Sequence, residues 1–251
     1  MLLQRWKNLI PQDIIQNVIN EESKDHAPKS VRDMHGLITA VLKHNRVNLT
    51  INTVLPKKVR PGIYIPSDEE IKRLIYAVKD TDMELPVYLA AFGAMRRGEI
   101  AALTSGDVDG TIIHVSKTMV LDDNNVWRTK APKSFAGDRY IEVPQFVAEL
   151  LKGIKGRIVT MHPNRITARF NSALKKAELQ QFRFHDLRHY NASISHALGM
   201  PDSYIMQTGG WGNDRVLKEV YQHTMEDRRK EINSIAINHF ENMQHDIKKA
   251  P

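Results

Sequence analysis

Between the apolar runs Leu85 to Ala94 and Ile100 to Leu103 the chain reads Gly93-Ala94-Met95-Arg96-Arg97-Gly98-Glu99. Apolar runs broken by paired arginines, with Gly93 and Gly98 at the edges, predict two helices meeting at a turn that presents the charge. Upstream, Ser67 with Glu70 three residues on has the form of a capping box ahead of Ile71, Leu74, Ile75 and Val78, so a domain is expected to begin there. Downstream, Thr111 to Leu121, Asn125 to Thr129 and Arg139 to Val143 are rich in β-branched and aromatic residues, with Asp122-Asp123-Asn124 and Pro132 to Asp138 as connections. They predict a three-stranded antiparallel sheet. From Pro144 the pattern is helical again, at Phe146 to Ile154, Asn164 to Leu179, His185 to Leu198, Pro201 to Gln207 and Asp214 to His223. The expected fold class is α+β, mainly α with a small antiparallel β-sheet.

Ahead of this domain, Val31, Met34, Leu37, Ile38, Val41 and Leu42 recur at helical spacing on one arc, a pattern that ends near Asn48. The next stretch, with Pro56, Lys57, Lys58, Arg60 and Pro61, is basic, lacks periodicity and carries prolines that a helix interior excludes. The organisation expected is a helical segment 1–55, a basic linker 56–66 and a second domain 67–251. At the far end Ile232, Ile235, Ala236, Phe240, Met243 and Ile247 share one helical face, which needs an apolar surface on its own domain or on a neighbouring subunit.

With 251 residues, 41% hydrophobic and 26% charged, the chain has the composition of a globular protein rather than a fibrous or disordered one. No apolar run approaches the roughly 20 residues of a membrane span, and no secretory leader is evident, so a cytoplasmic location away from membranes is expected. The absence of cysteine removes disulfides, thiolate nucleophiles and thiolate metal sites. The net charge of +7 makes a polyanionic partner worth testing. Residues 1 to 65 hold ten Lys or Arg against five Asp or Glu, so most of the excess lies there.

No phosphate-binding glycine loop of the Walker type is present, and Gly209-Gly210-Trp211-Gly212 lacks the spacing of a dinucleotide fingerprint. In His185-Asp186-Leu187-Arg188-His189 two histidines stand four apart, but without the glutamate of a zinc-protease helix. Neither a metal nor an organic cofactor is expected. His185 and Arg188, three apart, would point from one face toward a common point where a phosphate could sit, the guanidinium offering a donor fork and the imidazole a proton carrier. A surface helix with a salt-bridged arginine fits the pentapeptide equally well.

The order of motifs goes further. Gly93 to Glu99 is followed by lysines in a β connection, by His185-Asp186-Leu187-Arg188-His189-Tyr190, by Gly210-Trp211, and by Tyr221 with His223. From about Ser67 to His223 the chain resembles the catalytic domain of a tyrosine recombinase of the phage-integrase family. The resemblance implies that Arg96 is the first catalytic arginine, with Glu99 as its supporting acid, and that His185 and Arg188 form the His-x-x-Arg box. It implies Trp211 as a residue under the site, either packing there or offering its indole N–H to the phosphate. Tyr221, 33 residues after Arg188, matches the nucleophile, with Tyr190 and Tyr204 as the rival tyrosines. Pro132-Lys133-Ser134-Phe135-Ala136-Gly137-Asp138-Arg139 resembles the family's lysine hairpin, pointing to Lys133, with Lys130 as the alternative.

Leu9 to Val18 followed by Ala27-Pro28-Lys29-Ser30-Val31 resembles the family's core-binding domain, with Lys29, Arg32, Lys57, Lys58 and Arg60 as expected DNA contacts. The segment is short for that whole domain, so a start inside a longer protein is expected. The activity implied is site-specific cleavage and rejoining of double-stranded DNA at attachment sites through a 3′-phosphotyrosyl link, without ATP or metal. The implied partners are a synaptic tetramer on DNA and directionality or DNA-bending accessory proteins. The rival readings are a noncatalytic DNA-binding accessory of the same fold and a strand-passing enzyme of the type IB topoisomerase kind.

Overall fold

The computed structural model describes residues 12–47, 52–59, 64–132 and 135–214. The chain divides into two compact units, 1–62 and 63–251. In the first, helices α1 (Gln12–Asp25) and α2 (Pro28–His44) pack through Ile15, Ile19, Val31 and Leu42, with Ile38, Val47 and Leu55 against them. Pro28 can open α2 because the first turn of a helix needs no amide donor there. The extended residues 52–59 are tied to the helices by the Gln16 amide. Its Oε1 accepts from the Val54 N–H at 2.8 Å, and its Nε2 donates to the Val54 carbonyl at 3.2 Å. The apolar arc of α2 is covered only in part, since Val31 is buried while Leu37 and Val41 stand exposed.

The second unit opens with α3 (Asp68–Val78), where the capping box is present: the Ser67 Oγ accepts from the Glu70 N–H and the Glu70 carboxylate accepts from the Ser67 N–H. Next comes α4 (Glu84–Ala91), apolar on all sides and buried from Pro86 to Ala91, as a helix at the centre of a core must be. Around it lie α3, α5 (Arg97–Ala102), α6 (Gln145–Leu151) and α8 (Asp186–Ala197). Helix α7 (Pro163–Lys176) packs on α3 and α5 and sends Ile166, Phe170 and Leu174 into the core, while α9 (Asp202–Gly209) lies on α8.

The β region differs from a single three-stranded sheet. The run Thr111 to Leu121 breaks at Ser116-Lys117 into two strands that serve different sheets. Strands β1 (Val108–Asp109), β2 (Ile112–Val115) and β5 (Arg139–Glu142) form one antiparallel sheet in the order β1-β2-β5, with Ile113 opposite Ile141. Strands β3 (Thr118–Leu121) and β4 (Trp127–Lys130) form a separate hairpin. Its turn is held by Asp122, whose Oδ1 accepts from the Asn124 and Val126 amides at 3.0 and 2.8 Å. The break is anchored by Lys117, whose Nζ lies 2.8 Å from Asp107 Oδ2 and turns the chain away from β2. Beyond it, the N-terminus of α5 meets the β3 backbone so closely that a Cβ on Gly98 would stand 2.9 Å from the Met119 carbonyl oxygen. Glycine is required there by space.

Candidate active site

The C-terminus of α9 is the hub on which the site is assembled. Gly210 takes a left-handed conformation (φ 63°), its N–H donates to the Gln207 carbonyl, and the Trp211 N–H donates to that of Met206, a Schellman turn. That turn leaves three successive carbonyls outside the helical bonding pattern, at the negative end of the helix dipole. Each is taken by an arginine. Arg139 Nε donates to Thr208 at 2.7 Å, Arg188 Nη2 to Gly209 at 2.7 Å, and Arg96 Nη2 to Gly210 at 2.7 Å.

Glu99 lies behind this row. Its Oε1 accepts from Arg96 Nη1 (2.8 Å) and Arg139 Nη1 (3.1 Å), and its Oε2 from the Arg96 backbone N–H (2.8 Å) and Arg139 Nη2 (2.9 Å). Burial would raise this carboxyl, but the Arg139 fork and then Arg96 outweigh it and hold the group below its usual range, as a carboxylate. Arg188 is 1% exposed, a cation in a core position. Its Nη1 donates to the carbonyl of Ala94, a residue held at φ 50° in the turn between α4 and α5. Its guanidinium carbon lies 5.0 Å from the centre of the Trp211 ring. Burial works most strongly against its charge and Arg96 adds to that, yet an arginine keeps its proton, and its Nε has no hydrogen-bond partner among the described residues.

His185 immediately precedes α8 and stands at the surface beside Arg188. Desolvation, then the cation of Arg188, push its pKa down to about 4, so the imidazole is neutral at pH 7 and its free nitrogen can accept a proton. The buried His189 sits edge-on to it, ring centres 5.0 Å apart. Asp186, the first residue of the helix, ties down the chain ahead of it, accepting from the Arg183 amide at 2.7 Å and pairing with its guanidinium at 2.8 Å. Trp211 packs with Ala192 and Ile205 under the arginines. A Cβ on Gly209 would fall 2.4 Å from its ring, so the indole can lie there only because residue 209 has no side chain.

Arg96, His185 and Arg188 share a groove of about 950 Å³ with Arg97, Thr118 and the polar face of α7 at Asn164, Thr167 and Asn171. The fold thus brings together Arg96, Glu99, His185, Arg188 and Trp211. Lys130 ends β4 with its backbone opposite Thr118, exposed near the start of α5, whereas Lys133 lies outside the described residues. So do Tyr221, Arg60, the helix expected at 214–223 beyond its first residue, and the amphipathic face 232–247. Of the rival tyrosines, Tyr190 donates its hydroxyl to Asp68 at 2.9 Å and burial with that contact raises its pKa to about 12, while Tyr204 is exposed on α9; neither lines the groove. In the first unit Lys29 pairs with Asp33 at 3.0 Å and Arg32 Nε donates to the Pro56 carbonyl at 2.8 Å, while Lys57 and Lys58 are exposed.

Arg139 and the carbonyls of Ala94, Thr208, Gly209 and Gly210 were not among the expected site residues. A main-chain acceptor leaves no mark in a sequence. Arg139 does leave one: in Arg139-Tyr140-Ile141-Glu142 it shares the inward register of Ile141, and a charge at an inward strand position requires a buried partner. Among the described residues no three His, Asp or Glu side chains gather as a metal site would require, and no helix is long and apolar enough to cross a membrane.

A mostly helical domain with small antiparallel sheets of this kind is the catalytic-domain fold of tyrosine recombinases. The profile of the phage integrase family matches residues 67–228, and the chain belongs to that family. A protein described as a prophage phiRv2 integrase of Mycobacterium tuberculosis is 26% identical over 206 residues, covering 74% of this chain and 53% of that protein. The integrase of Salmonella phage P22 is 32% identical over 101 residues, 39% of this chain and 26% of its own length. The chain therefore spans about half the length of the first of these relatives. Among solved structures, the Tn1549 transposon integrase in complex with transposon right end DNA superposes with a TM-score of 0.68 at 17% identity, covering 90% of this chain and 86% of that one. XerA recombinase gives 0.56 at 20% identity, covering 94% and 88%.

Proposed function

We propose that this chain is a site-specific DNA recombinase that cleaves and rejoins double-stranded DNA through a 3′-phosphotyrosyl link on Tyr221. The observation that carries the reading is the pair Arg96 and Arg188, drawn from opposite ends of the domain and fixed on adjacent carbonyls at the floor of one groove with a neutral His185 beside them. A phosphodiester is the anion that such a pair suits, because charge growing on its nonbridging oxygens meets cations already in place.

In this reading the Tyr221 oxygen attacks phosphorus and the bond to the 5′-oxygen breaks. His185 accepts the phenol proton, and a hairpin lysine, Lys133 ahead of Lys130, gives a proton to the leaving 5′-oxygen. The incoming 5′-hydroxyl of another strand reverses the step. Bond energy stays in the phosphotyrosine, so neither ATP nor a metal is needed. Trp211 supports Arg188 from below, and Glu99 orients Arg96. Residues 1–55, the basic stretch 56–66 and the domain 67–251 engage one duplex together through Lys29, Arg32, Lys57, Lys58 and Arg60. Four protomers assemble at paired sites, with accessory proteins setting direction.

The test uses a pool of nicked duplexes with a randomised centre, incubated with the full chain in EDTA, covalent products being captured under denaturing conditions. Wild type should form an adduct, and Arg96→Ala or Arg188→Ala should slow its formation by roughly 100 to 1000-fold, as loss of one transition-state donor does elsewhere. Variants as fast as wild type would overturn the assignment.

A further inference from the structure

Arg139 is 4% exposed, and four of its five N–H donors are bonded within the protein: Nε to Thr208, one on each Nη to Glu99, and the second on Nη1 to the Gly137 carbonyl at 3.3 Å. It is placed to hold its neighbours, and it does not line the groove of Arg96 and Arg188. Among the described residues Glu99 has no other cationic partner than Arg96 and Arg139. The cluster of Arg96, Arg139, Arg188 and Glu99 is three guanidinia against one carboxylate, so two positive charges remain at the floor of the groove.

We propose that Arg139 is a positioning residue that keeps Arg96 available to a phosphate by saturating the carboxylate of Glu99. Resting on the reading of Arg96 as a phosphate ligand, this adds a residue to which that reading gives no part. With Arg139 in place, the fork meets both carboxylate oxygens end-on, and Arg96 needs only one Nη for Glu99 and one for Gly210. The Arg96 side chain is 37% exposed, and its remaining N–H groups are left for the groove. Without Arg139 the buried carboxylate would have Arg96 as its sole counter-charge, and one net positive charge would remain where there were two. The position of Arg139 at the start of β5, bonded to Gly137 at the end of the lysine connection and to Thr208 at the end of α9, joins three parts of the site through one side chain.

The experiment measures binding of inorganic phosphate to the full chain, by thermal stabilisation at constant ionic strength with chloride as the control, in wild type, Arg139→Gln, Arg139→Lys and the double variant Arg139→Gln with Glu99→Gln. Loss of one charge from a partly buried cluster should weaken phosphate by about tenfold in Arg139→Gln. Arg139→Lys keeps two net positive charges and should bind within about threefold of wild type, and the double variant, which restores the charge but lacks the carboxylate that orients Arg96, should still bind more tightly than Arg139→Gln. A purely structural role predicts the opposite, with the double variant at least as impaired as the single and lysine no better than glutamine. That pattern overturns the proposal, as would an unimpaired Arg139→Gln or a wild type that phosphate does not stabilise. If Arg139→Gln does not fold, Arg139→Lys carries the test, and a tenfold loss there overturns it. A wild type that binds phosphate in the expected pattern yet forms no covalent adduct on DNA would retire the recombinase reading and leave this one standing.

Discussion

Arg188 occupies a place where a helix facing the core would ordinarily put leucine, and it is stable there because Ala94 and Gly209 supply carbonyls and Trp211 supplies the face of a ring. The pentapeptide containing it was readable either as a phosphate site or as an exposed ion-paired arginine, and its burial decides against the second. What the sequence could not show is how the charge is satisfied, since main-chain acceptors at residues 94 and 208 to 210 have no side-chain signature. His185 allows a test at this scale. Its folded pKa is depressed from 6.5 to about 4, so on acidification the unfolded chain binds a proton first. The contribution is whole above pH 6.5 and is lost as pH falls from about 6.5 toward 4. His189, also lowered by burial, acts in the same window, while Glu99, held low by its arginines, adds its loss only at more acid pH, below the ordinary carboxylate value of 4.5. The thermal midpoint should therefore drop across that window, and drop less steeply in His185→Gln; identical acid slopes would mean that the His185 pKa is not depressed in the folded chain.

Among the elements, helices were legible because their cues are local. The Ser67–Glu70 box marks the start of α3, and the apolar periodicities give α7 and α8 to within a few residues. The sheets were less so. Strand propensity runs unbroken from Thr111 to Leu121, and nothing local says that β2 will pair with β5 while β3 pairs with β4. The partition depends on Lys117 reaching Asp107 and on α5 lying against β3, both tertiary facts. The second gives a prediction. A Cβ at position 98 would meet Thr118 Oγ1 at 2.5 Å and the Met119 carbonyl oxygen at 2.9 Å, the latter backbone that cannot rotate away. Gly98→Ala should cost about 1 to 3 kcal/mol in urea unfolding, as overpacking does. A loss below about 0.5 kcal/mol, the range of ordinary surface changes, would show that α5 and β3 are not so closely apposed.

For the whole molecule, the sequence carried the family in the order of its motifs, two of which, those of Arg96 and of His185 with Arg188, line the same groove after folding. It carried less about the first unit, where Leu37 and Val41 share an arc with the buried Val31 and Leu42 but remain exposed. Periodicity identifies a helix and its apolar face; it does not say how much of that face finds a partner. The groove of Arg96, His185 and Arg188 is proposed to serve one tyrosine, Tyr221. The most direct measurement is to form the covalent DNA adduct with wild-type chain, digest both protein and DNA, and sequence the nucleotide-bearing peptide by mass spectrometry. The account predicts a 3′-nucleotide on Tyr221, a free 5′-hydroxyl on the released strand, and no adduct in Tyr221→Phe. A nucleotide on Tyr190 or Tyr204, or an adduct that survives Tyr221→Phe, would contradict it.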